Sequence, residues 1–188
     1  MEFMVHIDLK KLPEPIAYDD KIMLMGSCFT EHIGNALADL KFDVLQNPNG
    51  ILFGPDAVCK SLLSYVVNKQ YTGDDLFYLN EVWNSWDHHS RFSHINKDEC
   101  LQGINQSQQK AHDFLKEADW LIITLGSSFS YFLTSQPSFD KSRRGEAVAN
   151  CHRAPANWFN KEMLEIDTIK EMLVSCLEQL KAFNPRLK

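Results

Sequence analysis

The stretch Lys21-Ile-Met-Leu-Met-Gly-Ser-Cys-Phe-Thr30 decides the fold, because an apolar run stops there at a glycine and a helical pattern begins. The apolar residues from Ile22 to Met25 are typical of a short buried strand. A helical pattern follows, because apolar residues recur at the spacing of one helix face. These are Phe29, Ile33, Leu37 and Leu40. The order predicts the first unit of an α/β fold, with Ser27 at the carboxyl end of a strand, where ligands bind in open parallel sheets.

Ser27 has two competing roles at this turn. A serine just before a helix commonly caps it by accepting a hydrogen bond from a first-turn N–H group. The same position also puts its hydroxyl beside unpaired N–H groups that favour negative charge. Ser27 is therefore also a candidate nucleophile with part of an oxyanion hole beside it. The adjacent Cys28 is a weaker candidate, because packing is the more common role of a free cysteine.

Strands and helices alternate along the rest of the chain, which implies parallel strands joined by right-handed crossovers. Residues 69–95 are the least regular part, and we interpret them as a loop or hairpin inserted over the carboxyl edge of the sheet. A small hairpin is also expected between 131–134 and 146–149. The further strands are predicted at 42–46 and 120–124, and the helices at 28–41, 55–68, 97–117 and 167–183.

Composition limits the classes of function. With 188 residues, 44% of them hydrophobic, the chain is long enough for one domain with a real core. The net charge of −6, with no basic cluster beyond Arg143-Arg144, argues against nucleic acid as a partner. No apolar run approaches the roughly 20 residues of a membrane span, and the N-terminus lacks the apolar core of a signal peptide. Five cysteines without framework spacing indicate free thiols, so we expect a cytoplasmic location.

Four segments in order along nearly the whole chain resemble the GSCFA family, which is itself similar to the SGNH (GDSL-type) hydrolases. The first is Gly26-Ser-Cys-Phe-Thr30, in which Thr30 stands where the family usually has alanine. The resemblance implies a flavodoxin-like SGNH core, in which a short parallel sheet has its first strand between the second and the third. The other segments are Asn47-Pro-Asn-Gly-Ile-Leu-Phe53, Trp86-Asp-His-His-Ser90, and Ile123-Thr-Leu-Gly-Ser127 followed by Val148-Ala-Asn-Cys-His152.

The same resemblance implies hydrolysis of an ester, such as an O-acyl group on a carbohydrate or small metabolite, without a cofactor. Ser27 matches the nucleophile, and the N–H groups of Ser27 and Gly50 match the oxyanion donors. SGNH enzymes have an asparagine donor where this chain has Gly126-Ser-Ser128, so Ser127 or a neighbour such as Asn150 must replace it. The substrate-binding residues implied in this way are Asn47, Trp86, His89, Asn150, His152 and Arg153. The guanidinium of Arg153 suits a carboxylate or a phosphate.

The general base is missing from this pattern. SGNH enzymes carry an Asp-x-x-His segment near the C-terminus, and no aspartate of this chain has a histidine three residues later. We therefore expect an incomplete core that lacks its C-terminal strands, with the base outside this chain. The alternatives are a short paralogue that self-associates through an exposed sheet edge, and a non-catalytic binding module. The spacing of Asp87, His88, His89 and His94 matches no established metal site, so no metal is expected.

Overall fold

The computed structural model describes residues 13–137 and 141–188, and in them strands alternate with helices around a parallel sheet. The parallel sheet has the order β2-β1-β5, and β3-β4 and β6-β7 are antiparallel pairs. The predicted α/β fold and the central position of the first strand are therefore confirmed. The strands are β1 (Lys21–Gly26), β2 (Asp43–Gln46), β3 (Phe77–Leu79), β4 (Val82–Asn84), β5 (Trp120–Thr124), β6 (Phe129–Leu133) and β7 (Phe159–Met163). The helices are α1 (Cys28–Asp39), α2 (Pro55–Val66), α3 (Lys97–Glu117) and α4 (Ile166–Phe183).

The main core lies on one face of the parallel sheet. Met23 and Met25 of β1 point to this face, because alternate side chains of a strand share a side. They are fully buried there in one cluster with residues from α2, α3 and α4, including Leu62, Leu115 and Leu180. The three helices therefore form one layer, and α1 packs on β1 and β2 from the other face.

The apolar residues predicted to mark the inner face of α1 are not the ones that it buries. The helix buries Thr30 and Gly34 instead. A Cβ atom on Gly34 would lie 1.7 Å from the side-chain oxygen of Gln46, so the helix approaches β2 closely at this glycine. Phe29 and Ile33 are 58% and 36% exposed. Because α1 contacts the sheet through small residues, much of its predicted apolar face is exposed to solvent.

β5 is an edge strand, as the sequence predicted, but it is half-buried rather than buried. The first part of its outer edge is paired with the backbone of Lys188. The Leu121 N–H donates to the Lys188 carbonyl over 2.9 Å, and the Lys188 N–H donates to the Asp119 carbonyl over 2.8 Å. Self-association through this edge stays a prediction.

The prediction of a hairpin between 131–134 and 146–149 is wrong about which segment is the main partner of β6. β6 pairs along its whole length with β7, from Phe129 opposite Met163 to Leu133 opposite Phe159. The segment 146–149 adds only a single bridge, between Phe132 and Ala147. β7 was missed because its side chains are mostly polar and exposed, so it lacks the apolar signal of a strand.

The least regular segment, 69–95, contains the β3–β4 hairpin and a 3₁₀ turn at Ser90–Phe92. The His89 N–H donates to the Asn49 carbonyl over 2.8 Å, so this segment lies against the loop that follows β2. In the part of the chain that the structure describes, no helix combines the length and the apolar character needed to cross a bilayer.

We predict that Gly26→Ala will destabilise the fold by at least about 2 kcal/mol, because a side chain there is both strained and blocked. Gly26 has a φ of +135°, and a Cβ atom would lie 1.9 Å from the Thr124 carbonyl oxygen. The matched control is Gly103→Ala in α3, where a Cβ atom meets nothing within 4 Å. This control should gain up to about 1 kcal/mol from helix propensity. Urea unfolding measures both, and equal midpoints for the two variants would contradict the prediction.

Candidate active site

Ser27 stands at the N-cap position of α1, but its side chain makes no capping hydrogen bond. Its Oγ atom instead lies 3.1 Å from Oγ1 of Thr124, at the end of β5. The register of the sheet explains this contact, because Gly26 of β1 is paired with Thr124. The side chain of Ser27 therefore does not cap the helix, and it sits at the carboxyl end of the central strand with 8% of the residue exposed.

A cluster of hydroxyl groups surrounds the Ser27 side chain. Oγ1 of Thr30 lies 2.5 Å from Oγ1 of Thr124, so Thr124 links the other two hydroxyls. Among the described residues, no histidine or carboxylate forms a hydrogen bond with the Ser27 hydroxyl. In the part of the chain that the structure describes, the site therefore has a positioned hydroxyl and no contacting base.

Both backbone donors expected for an oxyanion are engaged within the chain. The Ser27 N–H donates to the Thr124 carbonyl over 3.0 Å, and the Gly50 N–H donates to the Asn47 carbonyl over 2.7 Å. The first N–H groups of α1, on Cys28 and Phe29, have no intrahelical acceptor. They carry the positive end of the helix dipole, so the resting structure keeps a region beside Ser27 that favours an anion.

Asn47 fastens the loop after β2 to the end of β1. Its Oδ1 accepts the Gly26 N–H over 2.8 Å, and its own N–H donates to the Leu24 carbonyl over 2.8 Å. Only 2% of the residue is exposed, so Asn47 holds the backbone here and does not face a cleft. Gly50, at the end of this turn, has a φ of +84°, and a Cβ atom would lie 2.2 Å from the Cβ of His89.

His89 lies beside Gly50 and is half-buried. Its Nδ1 accepts the Arg91 N–H over 3.2 Å. Burial lowers the pKa of His89, and the nearby charge of Arg91 lowers it further. Arg91 in turn forms an ion pair with Glu31 in the first turn of α1. His89 is therefore neutral at pH 7 and is held by the loop that packs on α1.

Trp86 and its neighbour Asp87 lie inside the protein. Trp86 is fully buried and stacks on Phe77 with 3.7 Å between ring centroids, so it offers no surface to a ligand. Asp87 is buried with ion pairs to Arg143 at 2.7 Å and Lys60 at 2.8 Å. Burial alone would raise the pKa of the Asp87 carboxyl, but these two cations outweigh it and hold the pKa well below its usual range. This part of the motif therefore anchors the surrounding loops.

Two histidines beside this anchor are buried and neutral. Burial lowers the pKa of His88 to about 3, and its Nδ1 lies 2.9 Å from the Ser85 hydroxyl. Burial also lowers the pKa of His152, whose Nε2 lies 2.8 Å from the Ser85 carbonyl oxygen. Neither contacts Ser27, so neither acts as its base in this arrangement.

Two open spaces lie near these residues. A cavity of about 380 Å³ is lined by Ser127 and Asn150 together with aromatic side chains that include Phe53. Ser27 is not among the residues that line this cavity, but Gly126 lies between Ser27 and the Phe53 ring of the cavity wall. A Cβ atom on Gly126 would lie 2.7 Å from the Phe53 ring and 3.3 Å from the Ser27 Cβ.

A second cleft of about 460 Å³ is lined by Asn150, His152 and Arg153, among others. The structure thus brings together three of the substrate-binding residues that the sequence implied, and Ser127 joins them through Asn150. Sequence reasoning gave Thr124 and Phe53 no role at the site, although both lie in segments that resemble the family, because their contacts join distant parts of the chain. In residues 13–137 and 141–188, no three His, Cys, Asp or Glu side chains form a group that could hold a metal ion.

The comparisons with known proteins give one match. The family model described as the GSCFA family matches residues 21–188, which is most of the chain. No curated protein and no solved structure matches the chain.

We predict that buried His88 makes the fold sensitive to mild acid. Its folded pKa of about 3 lies below its ordinary value of 6.5, so the unfolded chain binds the proton first. The free energy of unfolding should therefore fall as pH decreases below 6.5, by up to about 1.4 kcal/mol per pH unit for this group. His88→Gln should be less stable at pH 7.5 but should show a shallower fall between pH 6.5 and about 4.5.

Urea unfolding at several pH values measures this dependence. His32→Gln is the control, because His32 is exposed on α1. Parallel stability curves for the wild type and His88→Gln would contradict the prediction.

Proposed function

The chain belongs to the GSCFA family, and from that membership we propose that it carries the nucleophile of an SGNH-like ester hydrolase. One observation supports this proposal above the others. Ser27 occupies the N-cap position of α1 without capping it, so its hydroxyl is not committed to the helix. It lies instead at the carboxyl end of the central strand, beside N–H groups that favour negative charge.

In the proposed reaction, the Ser27 hydroxyl attacks the acyl carbon of an ester and gives its proton to a base. The tetrahedral oxyanion that forms is stabilised by backbone N–H groups at the start of α1. The Ser27 and Gly50 N–H groups, which the family resemblance implies as donors, would first have to leave the carbonyls of Thr124 and Asn47. The alcohol then departs, and water releases the acyl group from the serine.

The cavity beside Ser127 supports a small-molecule or carbohydrate substrate. Its walls include the rings of Phe53, Phe129 and Tyr131, and aromatic rings pack well against the apolar face of a sugar. Ser127 and Asn150 supply polar groups in the same cavity. A mostly apolar wall with a few polar groups is typical of sites for small molecules.

We propose a cytoplasmic location for the protein. All five cysteines have free thiols, which favours a reducing compartment. The net charge of −6 argues against a nucleic-acid partner.

A binding module without catalysis is the second candidate. Two observations favour it: the expected oxyanion donors are engaged, and no described base contacts Ser27. A serine hydroxyl without a base is a weak nucleophile, and removal of a triad member typically lowers the rate by several orders of magnitude. The two candidates therefore differ in whether Ser27 reacts at all.

We predict that a fluorophosphonate probe will label the 188-residue chain slowly, and that peptide mass mapping will locate the label on Ser27. Ser27→Ala should abolish the labelling. Ser175→Ala, which changes an exposed serine of α4, should leave it unchanged. We expect the rate to be roughly 10³-fold or more below that of a complete serine hydrolase, because none of the described residues contacts Ser27 as a base.

Absence of any Ser27 label after prolonged exposure would reject the hydrolase and favour the binding module. Labelling of Cys28, tested by its loss in Cys28→Ala, would instead move the reactive group to the neighbouring thiol.

A further inference from the structure

The 460 Å³ cleft lies between the β3–β4 hairpin, the 3₁₀ turn at Ser90–Phe92 and the segment 150–153. One wall is apolar, formed by Leu79 and Val82. The remaining lining residues are polar: Asn80, Asn84, Ser90, Ser93, Asn150, His152 and Arg153. A polar space of this size suits a small hydrophilic ligand.

Among the described residues that line this cleft, Arg153 is the one with a permanent charge. Within the described residues its guanidinium forms neither an ion pair nor a hydrogen bond, and the residue is exposed. Arg143 is a contrast, because it is held by Asp87 at 2.7 Å and Glu146 at 3.0 Å. Arg153 therefore has all its N–H donors available, in a planar arrangement that matches a carboxylate or a phosphate.

None of the described residues that line the cleft cancels the charge of Arg153. No carboxylate is among the lining residues, and burial lowers the pKa of His152, which keeps its ring neutral at pH 7. The side-chain amides of Asn80 and Asn150 and the hydroxyl of Ser90 can add neutral donors around an anion. The described lining residues therefore supply several hydrogen-bond donors and no negative charge. This combination favours a ligand that accepts hydrogen bonds and is negatively charged.

In another cleft with basic residues, the positive charges are already paired with carboxylates. It has a volume of about 340 Å³ and includes Lys60, Lys69 and Arg143, but carboxylates neutralise them. Lys69 lies 3.1 Å from Asp75, and Lys60 lies 2.8 Å from Asp87. An anion would have to displace these internal partners before it could bind.

We propose that the cleft at Arg153 binds an oxyanion, a carboxylate or phosphate group carried by a small polar molecule. Arg153 holds the anion, and the Ser90 hydroxyl and the Asn150 amide complete its hydrogen bonds. Asn150 also lines the 380 Å³ cavity that contains Ser127, so one ligand can extend from one space into the other. The idea of one extended ligand rests on the proposed function, in which the anion is a substituent of the ester substrate.

The test is an NMR titration of the isotopically labelled chain with D-glucose 6-phosphate, D-glucuronate and neutral D-glucose. We expect saturable shifts at the Arg153 Nε–H and at the amides of 90–93 and 150–153, with at least one of the two anions. Arg153→Gln should weaken that binding roughly tenfold or more, since a charge-assisted hydrogen bond is lost. Arg153→Lys should bind with intermediate strength, because it keeps the charge and loses the planar fork.

Arg144→Gln is the matched control for loss of one positive charge. Arg144 is exposed and lines a different cleft, which contains Glu162. This variant should bind like the wild type. The anion with the lower dissociation constant identifies the source, phosphate or carboxylate.

The proposal would be overturned by no saturable shift from either anion up to about 20 mM, by equal binding of neutral glucose, or by unchanged binding in Arg153→Gln. Shifts that map to Lys60 and Lys69 would also overturn it. The titration measures binding at Arg153 and does not require a reactive serine. Failure of serine labelling and failure of anion binding are therefore separate outcomes.

Discussion

The pairing of Gly26 with Thr124 is the contact on which the rest of the site depends. Only a glycine allows the two strands to meet there, because any Cβ atom would run into the Thr124 carbonyl. The same carbonyl accepts the Ser27 N–H, and the Thr124 hydroxyl touches the hydroxyls of Ser27 and Thr30. One residue at the end of β5 therefore fixes both the backbone and the side chain of the turn from β1 into α1.

The sequence predicts the scaffold well because the scaffold is built from local signals. The continuous apolar run that forms β1 reflects burial on both faces of the sheet, and the spacing that marks α2, α3 and α4 reflects burial on one face of each helix. The sequence pattern did not predict β7, because only its pairing with β6 makes it a strand. α1 was found as a helix, but its orientation depends on how closely Gly34 approaches Gln46, which a pattern of apolar residues does not record.

In the candidate site, too, local features follow from the sequence, whereas contacts between distant segments do not. The position of Ser27 at a strand end follows from the sequence, whereas its contact with Thr124 joins residues 97 positions apart and needs the sheet register. The family resemblance implied Trp86 as a substrate-binding residue. It is buried instead, since Phe77 of β3 stacks on it. The pairing that brings β3 to this place has no local signature.

The small apolar area that α1 buries has a consequence for how the turn can move. The helix begins without a side-chain cap and buries two small residues, Thr30 and Gly34. Little apolar surface is exposed when its first turn unwinds, so this opening requires far less free energy than unfolding of the core. Such a local excursion would release the Ser27 amide from Thr124 while β1 and the three helices on its other face remain folded. The serine thus sits on a segment that can rearrange on its own, and its amide hydrogen should exchange with solvent well before those of the central strand.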